Sequence, residues 1–151
     1  MLASRIFTCN VAAIYFINMF IVGIVVVGHY EALYRINILT PLLPVSHRLR
    51  IVVGVILALT AHATEIWIFG IAFYFMNKTD NLGYLEGNYD GGLLDSVYFS
   101  FTSYTTLGFG DIAPHGDLRF LAGLEALTGL VLITWTASSL YLKMARYWTE
   151  E

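Results

Sequence analysis

The residues whose types and spacing could do chemistry lie in one short stretch, "TTLGFGDIAP", Thr105 to Pro114, set between two long apolar runs. It carries a threonine pair, glycines at alternate positions, Gly108 and Gly110, and then Asp111. Glycine accepts backbone of either hand at little steric cost, so alternate glycines let successive carbonyls turn toward one axis. Stacked carbonyl oxygens can replace the water around a cation. Thr106 adds a hydroxyl oxygen at one end, and Leu107 needs to supply only its carbonyl. Three ionisable residues also fall inside apolar segments, where charge is costly and therefore draws attention: His62 and Glu65, three apart on one helix face, and Glu125. Two ligands do not make a metal site, and no Cys/His cluster has zinc spacing. No nucleophile-and-base pair or phosphate loop is visible, so no enzyme chemistry and no cofactor are expected.

The elements that must position this stretch are set by the composition. At 151 residues the chain has room for one domain, and 58% hydrophobic with 13% charged residues is the balance of an integral membrane protein. Crossing a hydrocarbon core of roughly 30 Å takes about 20 helical residues. Three segments qualify: Ile6 to Gly28, with room to run on past His29 toward Tyr34, then Ile51 to Met76, and Leu118 to Leu142. The first is too long for a signal peptide and lacks a small-residue cleavage site. Between the first two, Pro41 and Pro44 predict a structured turn. Cys9, the single cysteine, can form no internal disulfide. The net charge of -3, with no basic run, argues against nucleic acid as a partner.

After Met76 comes a polar, turn-rich piece, and then "LLDSVYFSFTSYTT", apolar but too short to span. It predicts a half-crossing helix over 94–105, with Asp95 against the positive end of the helix dipole. Residues 106–111 must then return to the surface in extended form. Non-helical backbone at membrane depth is tolerated only when buried in protein or lining a water-filled path.

These residues resemble the selectivity filter of the potassium channel pore-domain family, which reads Thr-Val-Gly-Tyr-Gly-Asp where this chain has Thr106, Leu107, Gly108, Phe109, Gly110 and Asp111. The aromatic helix before the filter, Pro114 after it and the apolar helix beyond extend the resemblance over about Ile51 to Tyr147. "HATEI" and "LEALTGL" look like short bacterial members with an additional N-terminal helix. The resemblance implies a homotetramer in a lipid bilayer, with potassium as the permeant ion held by Thr106, Leu107, Gly108 and Phe109, and Asp111 at the outer edge. The domains then are 1–50, the extra helix and cytoplasmic turn, and 51–151, the pore. Phe99, Thr102 and Thr105 are the residues placed to brace the filter. Where many relatives pair a filter tyrosine with a pore-helix tryptophan, this chain has Phe109 and Phe99, neither with a polar side-chain atom. Losing both partners together can be nearly neutral, so a filter braced by aromatic packing is expected. Where some relatives place a glutamate to pair with the filter aspartate, Thr102 stands, so any network holding Asp111 must be built elsewhere.

Depth estimates at 1.5 Å per residue put Glu65 about 17 Å and Glu125 about 11 Å below the outer ends of their helices, near enough to interact if their faces meet. Together with His62 they form either an ion- or proton-sensitive brace behind the filter or a polar contact that fixes helix packing. Gly129, 19 residues after Gly110, is either a hinge or a close-packing position. Thr134, Thr136, Ser138 and Ser139 lie toward the inner mouth.

The architecture expected is an all-α membrane protein with three spans, a re-entrant pore helix and a filter loop, in the plasma (inner) membrane. Counting basic residues puts the N-terminus outside and the C-terminus in the cytoplasm: Arg35, Arg48, Arg50, Lys143 and Arg146 inside, against Arg5, Lys78 and Arg119 outside. Asp80, Glu86, Asp90, Asp95, Asp111 and Asp117 then surround the outer mouth, a sign that concentrates cations. No soluble ligand-binding domain and no arginine-rich voltage sensor are expected. The rival expectations are a weakly selective cation channel and a non-conducting accessory subunit.

Overall fold

Long apolar runs free of internal proline give long helices. The computed structural model describes residues 2–79 and 82–149, with side chains described for 14–79 and 82–145. Asp80 and the side chains of Arg5, Cys9, Arg146 and Trp148 lie outside the described residues. In chain order come α1 (Leu2–Leu39), a 3-10 turn (Thr40–Leu42), α2 (His47–Asn77), β1 (Leu85–Gly87), α3 (Leu93–Tyr104), β2 (Ile112–Pro114) and α4 (Leu118–Thr149). Among the residues with described side chains, three stretches are long and apolar enough to cross a membrane: Ile14–Leu42, His47–Asn77 and Leu118–Ala145. The protein is an all-α membrane protein with three spans and a short re-entrant helix, α3.

The first helix contains the expected Ile6 to Gly28 and runs on past His29 and Tyr34 to Leu39, so His29 lies well inside it. Nothing interrupts α1 before Pro41, whose ring and missing N–H end the regular ladder, and a 3-10 turn takes over. The turn is tied down by basic side chains. Lys143 near the end of α4 donates to the Ile36 carbonyl at 3.3 Å and to the Thr40 hydroxyl, while Arg50 donates to the Leu43 carbonyl at 3.1 Å. Cations at carbonyls left unpaired by a helix C-terminus are favourable, and here they fasten α1 to α4 and to α2. Inside the spans, Thr60 and Thr64 donate to the carbonyls four residues earlier, which satisfies hydroxyls that lipid would strand.

The 12-residue α3 is wedged between α2 and α4. A Cβ on Gly70 would lie 2.7 Å from Val97 Cα, so the crossing of α2 with α3 depends on a side chain being absent. Phe69, Phe73, Val97, Phe99, Leu121 and Leu132 form the centre of the buried core around this wedge. Flanking α3 and the loop after it, the chain makes a small two-stranded antiparallel sheet that the sequence did not announce, with Leu85 opposite Pro114, Glu86 opposite Ala113 and Gly87 opposite Ile112. Strands of three residues are too short for alternation to be legible. Asn77 ties the first strand to the end of α2: its side-chain oxygen accepts the Leu85 N–H at 2.8 Å and its amide donates to Tyr89 at 3.3 Å.

Candidate functional site

Thr105 to Gly110 leave α3 as an irregular strip exposed on the single chain. Positive φ occurs at Thr106 (58°), Gly108 (56°) and Gly110 (77°), with the intervening residues in the ordinary half of the map. This is the alternation of hand that the two glycines predicted, extended by one position onto Thr106. A β-branched residue there is an outlier that costs of order 1–3 kcal/mol, and such strain concentrates at functional sites. The strip is anchored at both ends through the main chain. The N–H of Gly108 donates to the Thr102 carbonyl at 3.0 Å, Thr106 N–H to Ser103 at 2.9 Å, and Asn88 N–H to the Asp111 carbonyl at 2.8 Å.

Thr102 and Thr105, two of the residues expected to brace the strip, turn their hydroxyls back onto α3, to the carbonyls of Phe99 and Phe101 at 2.9 and 2.7 Å, while the Thr102 carbonyl accepts the Gly108 N–H. Phe99 is buried edge-on against Phe73 at 4.9 Å between centroids, because its face of α3 points at α2. Phe109 is 65% exposed and is not packed on the buried Phe99 within the chain. Asp111 does find a partner, one turn earlier on α3 than Thr102: the Tyr98 hydroxyl donates to Asp111 Oδ2 at 2.8 Å. That carboxylate holds the Tyr98 phenol above its ordinary pKa. Around the mouth Glu86 lies 2.8 Å from His115, and Asp95, in the first turn of α3, accepts the Asp90 N–H at 2.9 Å.

Behind the strip lie two buried polar groups in place of one. Glu125 is fully buried and meets the Ser100 hydroxyl, which also lies 2.8 Å from the Ile66 carbonyl. A hydroxyl has one hydrogen, so both contacts are hydrogen bonds only when the Glu125 carboxyl brings a second. Glu65 belongs to a separate cluster. His29 Nδ1 lies 2.7 Å from its Oε1, His62 Nδ1 lies 3.1 Å from its Oε2, and Tyr104 donates to Oε2. On the far side of the two rings Thr136 Oγ1 stands 3.0 Å from His62 Nε2 and 3.2 Å from His29 Nε2. Trp135 covers the cluster, its ring 5.6 Å from that of His29.

The pairing of His62 with Glu65 follows from their spacing. His29, Tyr104 and Thr136 were missed because they arrive from α1, α3 and α4, and no local pattern links residues 36 to 107 apart. The available signal was a histidine within an apolar helix. Thr136 turns inward to the cluster, whereas Thr134 and Ser138 remain exposed and donate to carbonyls of α4. Gly129 is explained by packing: a Cβ there would lie 2.2 Å from the Tyr104 carbonyl oxygen, where α3 ends and the strip begins.

This geometry agrees with what known proteins share with the chain. The family described as "Ion channel" matches residues 61–145, more than half of the chain and all of α3, the strip and most of α4. The chain is 32% identical over 88 residues to "Potassium channel K2" of Plasmodium falciparum (isolate 3D7), which covers 58% of this chain and 5% of that protein. It thus spans a small fraction of the length of that relative. No solved structure matches the chain. A re-entrant helix and alternating-hand loop between two spans, under a family match of this extent, establish that the chain belongs to the pore-loop ion channel family.

Proposed function

We propose that four identical copies of this chain surround a central path and conduct potassium passively across the membrane. The observation that carries this reading is the alternating positive φ at Thr106, Gly108 and Gly110 within an exposed strip between two spans. One such strip offers a single column of carbonyls, and only a closed ring of copies turns the columns into stacked oxygen rings and removes the strip from lipid. Thr106, Leu107, Gly108 and Phe109 would hold the dehydrated ion, and Asp111, tied to Tyr98, would fix the outer edge. The negative end of the α3 dipole points at the inner end of the strip, a stabilising arrangement for a cation. The acidic mouth, set by Glu86, Asp90, Asp95, Asp111 and Asp117, raises the local cation concentration. The basic-residue count favours an outer N-terminus, a cytoplasmic turn at Thr40–Leu42 and the plasma (inner) membrane.

The test is flux. Purified protein in liposomes under a potassium gradient should give a barium-sensitive potassium current, and its mass in detergent should be that of four chains. Reversal potentials in mixed potassium and sodium separate a selective filter from a weakly selective one. A tetramer that passes no ion would make the chain an accessory subunit and overturn the proposal.

A further inference from the structure

The cluster at Glu65 has more than packing in it. His29 on α1, with His62 and Glu65 on α2, presents two imidazole nitrogens and a carboxylate whose ligand atoms all lie within 4.8 Å of one another. His29 and Glu65 are buried, and the His62 side chain is only 13% exposed. We propose that His29, His62 and Glu65 form a binding site for a divalent transition metal ion of the zinc type, set between α1 and the pore.

The ligand set suits that class. Two imidazoles and one carboxylate are a common zinc donor set, and Zn–N and Zn–O bonds of about 2.0–2.2 Å place tetrahedral ligands about 3.3 Å apart. The contacts of 2.7 Å for His29 with Glu65 Oε1 and 3.1 Å for His62 with Glu65 Oε2 fall short of that spacing by a few tenths of an ångström, so the ligands need only part slightly to admit an ion. The Tyr104 oxygen, 2.9 Å from His62 Nδ1, is positioned as a fourth donor.

The outer shell suits it as well. A ligating histidine ordinarily gives its other ring N–H to an acceptor that fixes tautomer and orientation. Here one oxygen, Thr136 Oγ1, serves both rings, and a hydroxyl has two acceptor positions. With metal on both Nδ1 atoms, both Nε2 atoms carry hydrogen and both donate to Thr136. A way in exists too. A cavity of about 160 Å³ lined by Gly28, Ala32, Ala61 and Thr64 ends on Glu65, and one of about 270 Å³ shares the last three residues and reaches Arg35 and Leu39 near the end of α1.

The consequence is a metal-dependent tie between α1 and the end of α3, since Tyr104 precedes the filter residue Thr106 by two positions. Binding is measured with zinc alone on the purified assembly in detergent, without flux, so its failure is distinct from a failure of conduction. One zinc per chain should remain after gel filtration, and cobalt in its place should give the strong visible absorption of a tetrahedral site. Loss of an outer-shell partner costs about 10–100-fold in metal affinity, so Thr136→Val should weaken binding by that factor, and His29→Gln or His62→Gln by more than about 100-fold. No zinc on the wild-type assembly, or equal affinity in the histidine variants, overturns the proposal. Should those variants fail to assemble, unchanged affinity in Thr136→Val, which keeps every ligand, overturns it equally.

Discussion

The Thr105–Gly110 strip and the Glu65 cluster are neighbours in space but are built on opposite plans. The strip uses backbone: its glycines carry no side chain, Leu107 and Phe109 are 59% and 65% exposed, and its specificity lies in torsion angles at consecutive residues. The cluster uses side chains drawn from four helices, each polar atom finding a partner on another element. The strip therefore should carry function at a cost in stability, whereas the cluster should carry stability and couple the extra helix to the pore. Substitutions in the two places ought to separate these properties.

The largest effect is expected at Glu65. Glu65→Ala removes the acceptor shared by His29, His62 and Tyr104; His62 and Tyr104 keep each other at 2.9 Å, but the buried His29 Nδ1 loses its partner and the link from α1 to α2 is cut. Breaking a buried charged network from one side costs about 3–5 kcal/mol. Denaturant unfolding of the purified protein should show a loss of that size, with weaker assembly. A stability within 1 kcal/mol of wild type, roughly one ordinary hydrogen bond, would mean that the cluster does not hold the helices.

Next comes the junction between the two regions. Gly129→Ala places a methyl 2.2 Å from the Tyr104 carbonyl oxygen, so α3 must move outward and carry the strip with it. Overpacking of this kind costs about 1–3 kcal/mol. Gly123→Ala, on the same helix with nothing within 4 Å, should be neutral or slightly stabilising. Equal behaviour of the two would remove close approach as the reason for Gly129.

Thr106 inverts the sign. At φ 58° Thr106→Gly relieves a strained conformation, and unfolding should become harder by up to about 1 kcal/mol. Potassium flux and its preference over sodium should nevertheless fall, because a side-chain oxygen is lost and the strip gains freedom. Stability gained with function lost would distinguish the strip from the cluster most clearly.

How far each region could be read from sequence follows from the same difference. The strip was legible because its information is local: alternate glycines announced alternate hand, and Asp95 announced the start of α3. His62 with Glu65 was legible for the same reason, a spacing of three on one helix. His29 was placed on the first helix, but its role was not legible because its partners Glu65 and Thr136 lie 36 and 107 residues away on other helices. Ser100 beside Glu125 and Tyr98 beside Asp111 were illegible because serine and tyrosine on an apolar helix give no hint of a partner 25 or 13 residues away. Glu65 and Glu125 were expected at similar depth and free to meet, but each found other partners, and the pore helix stands between their two groups.

The smallest effect tests whether a side chain contributes to the strip at all. Tyr98→Phe removes the hydroxyl that Asp111 accepts at 2.8 Å and leaves the Asp111 carbonyl bonded to Asn88. The contact is exposed, so water can replace the lost bond and the unfolding midpoint should not move. If the strip is the filter proposed above, its end at Asp111 loses one of its two ties, so selectivity should fall modestly while flux persists. The wild-type contact has its own pH signature. Asp111 raises the folded pKa of Tyr98, so the contact contributes fully below the ordinary tyrosine value of about 10 and fades as pH rises through the raised one. Tyr98→Phe should abolish that alkaline change in selectivity, and a variant that kept it would place the titrating group elsewhere and leave the strip held by backbone alone.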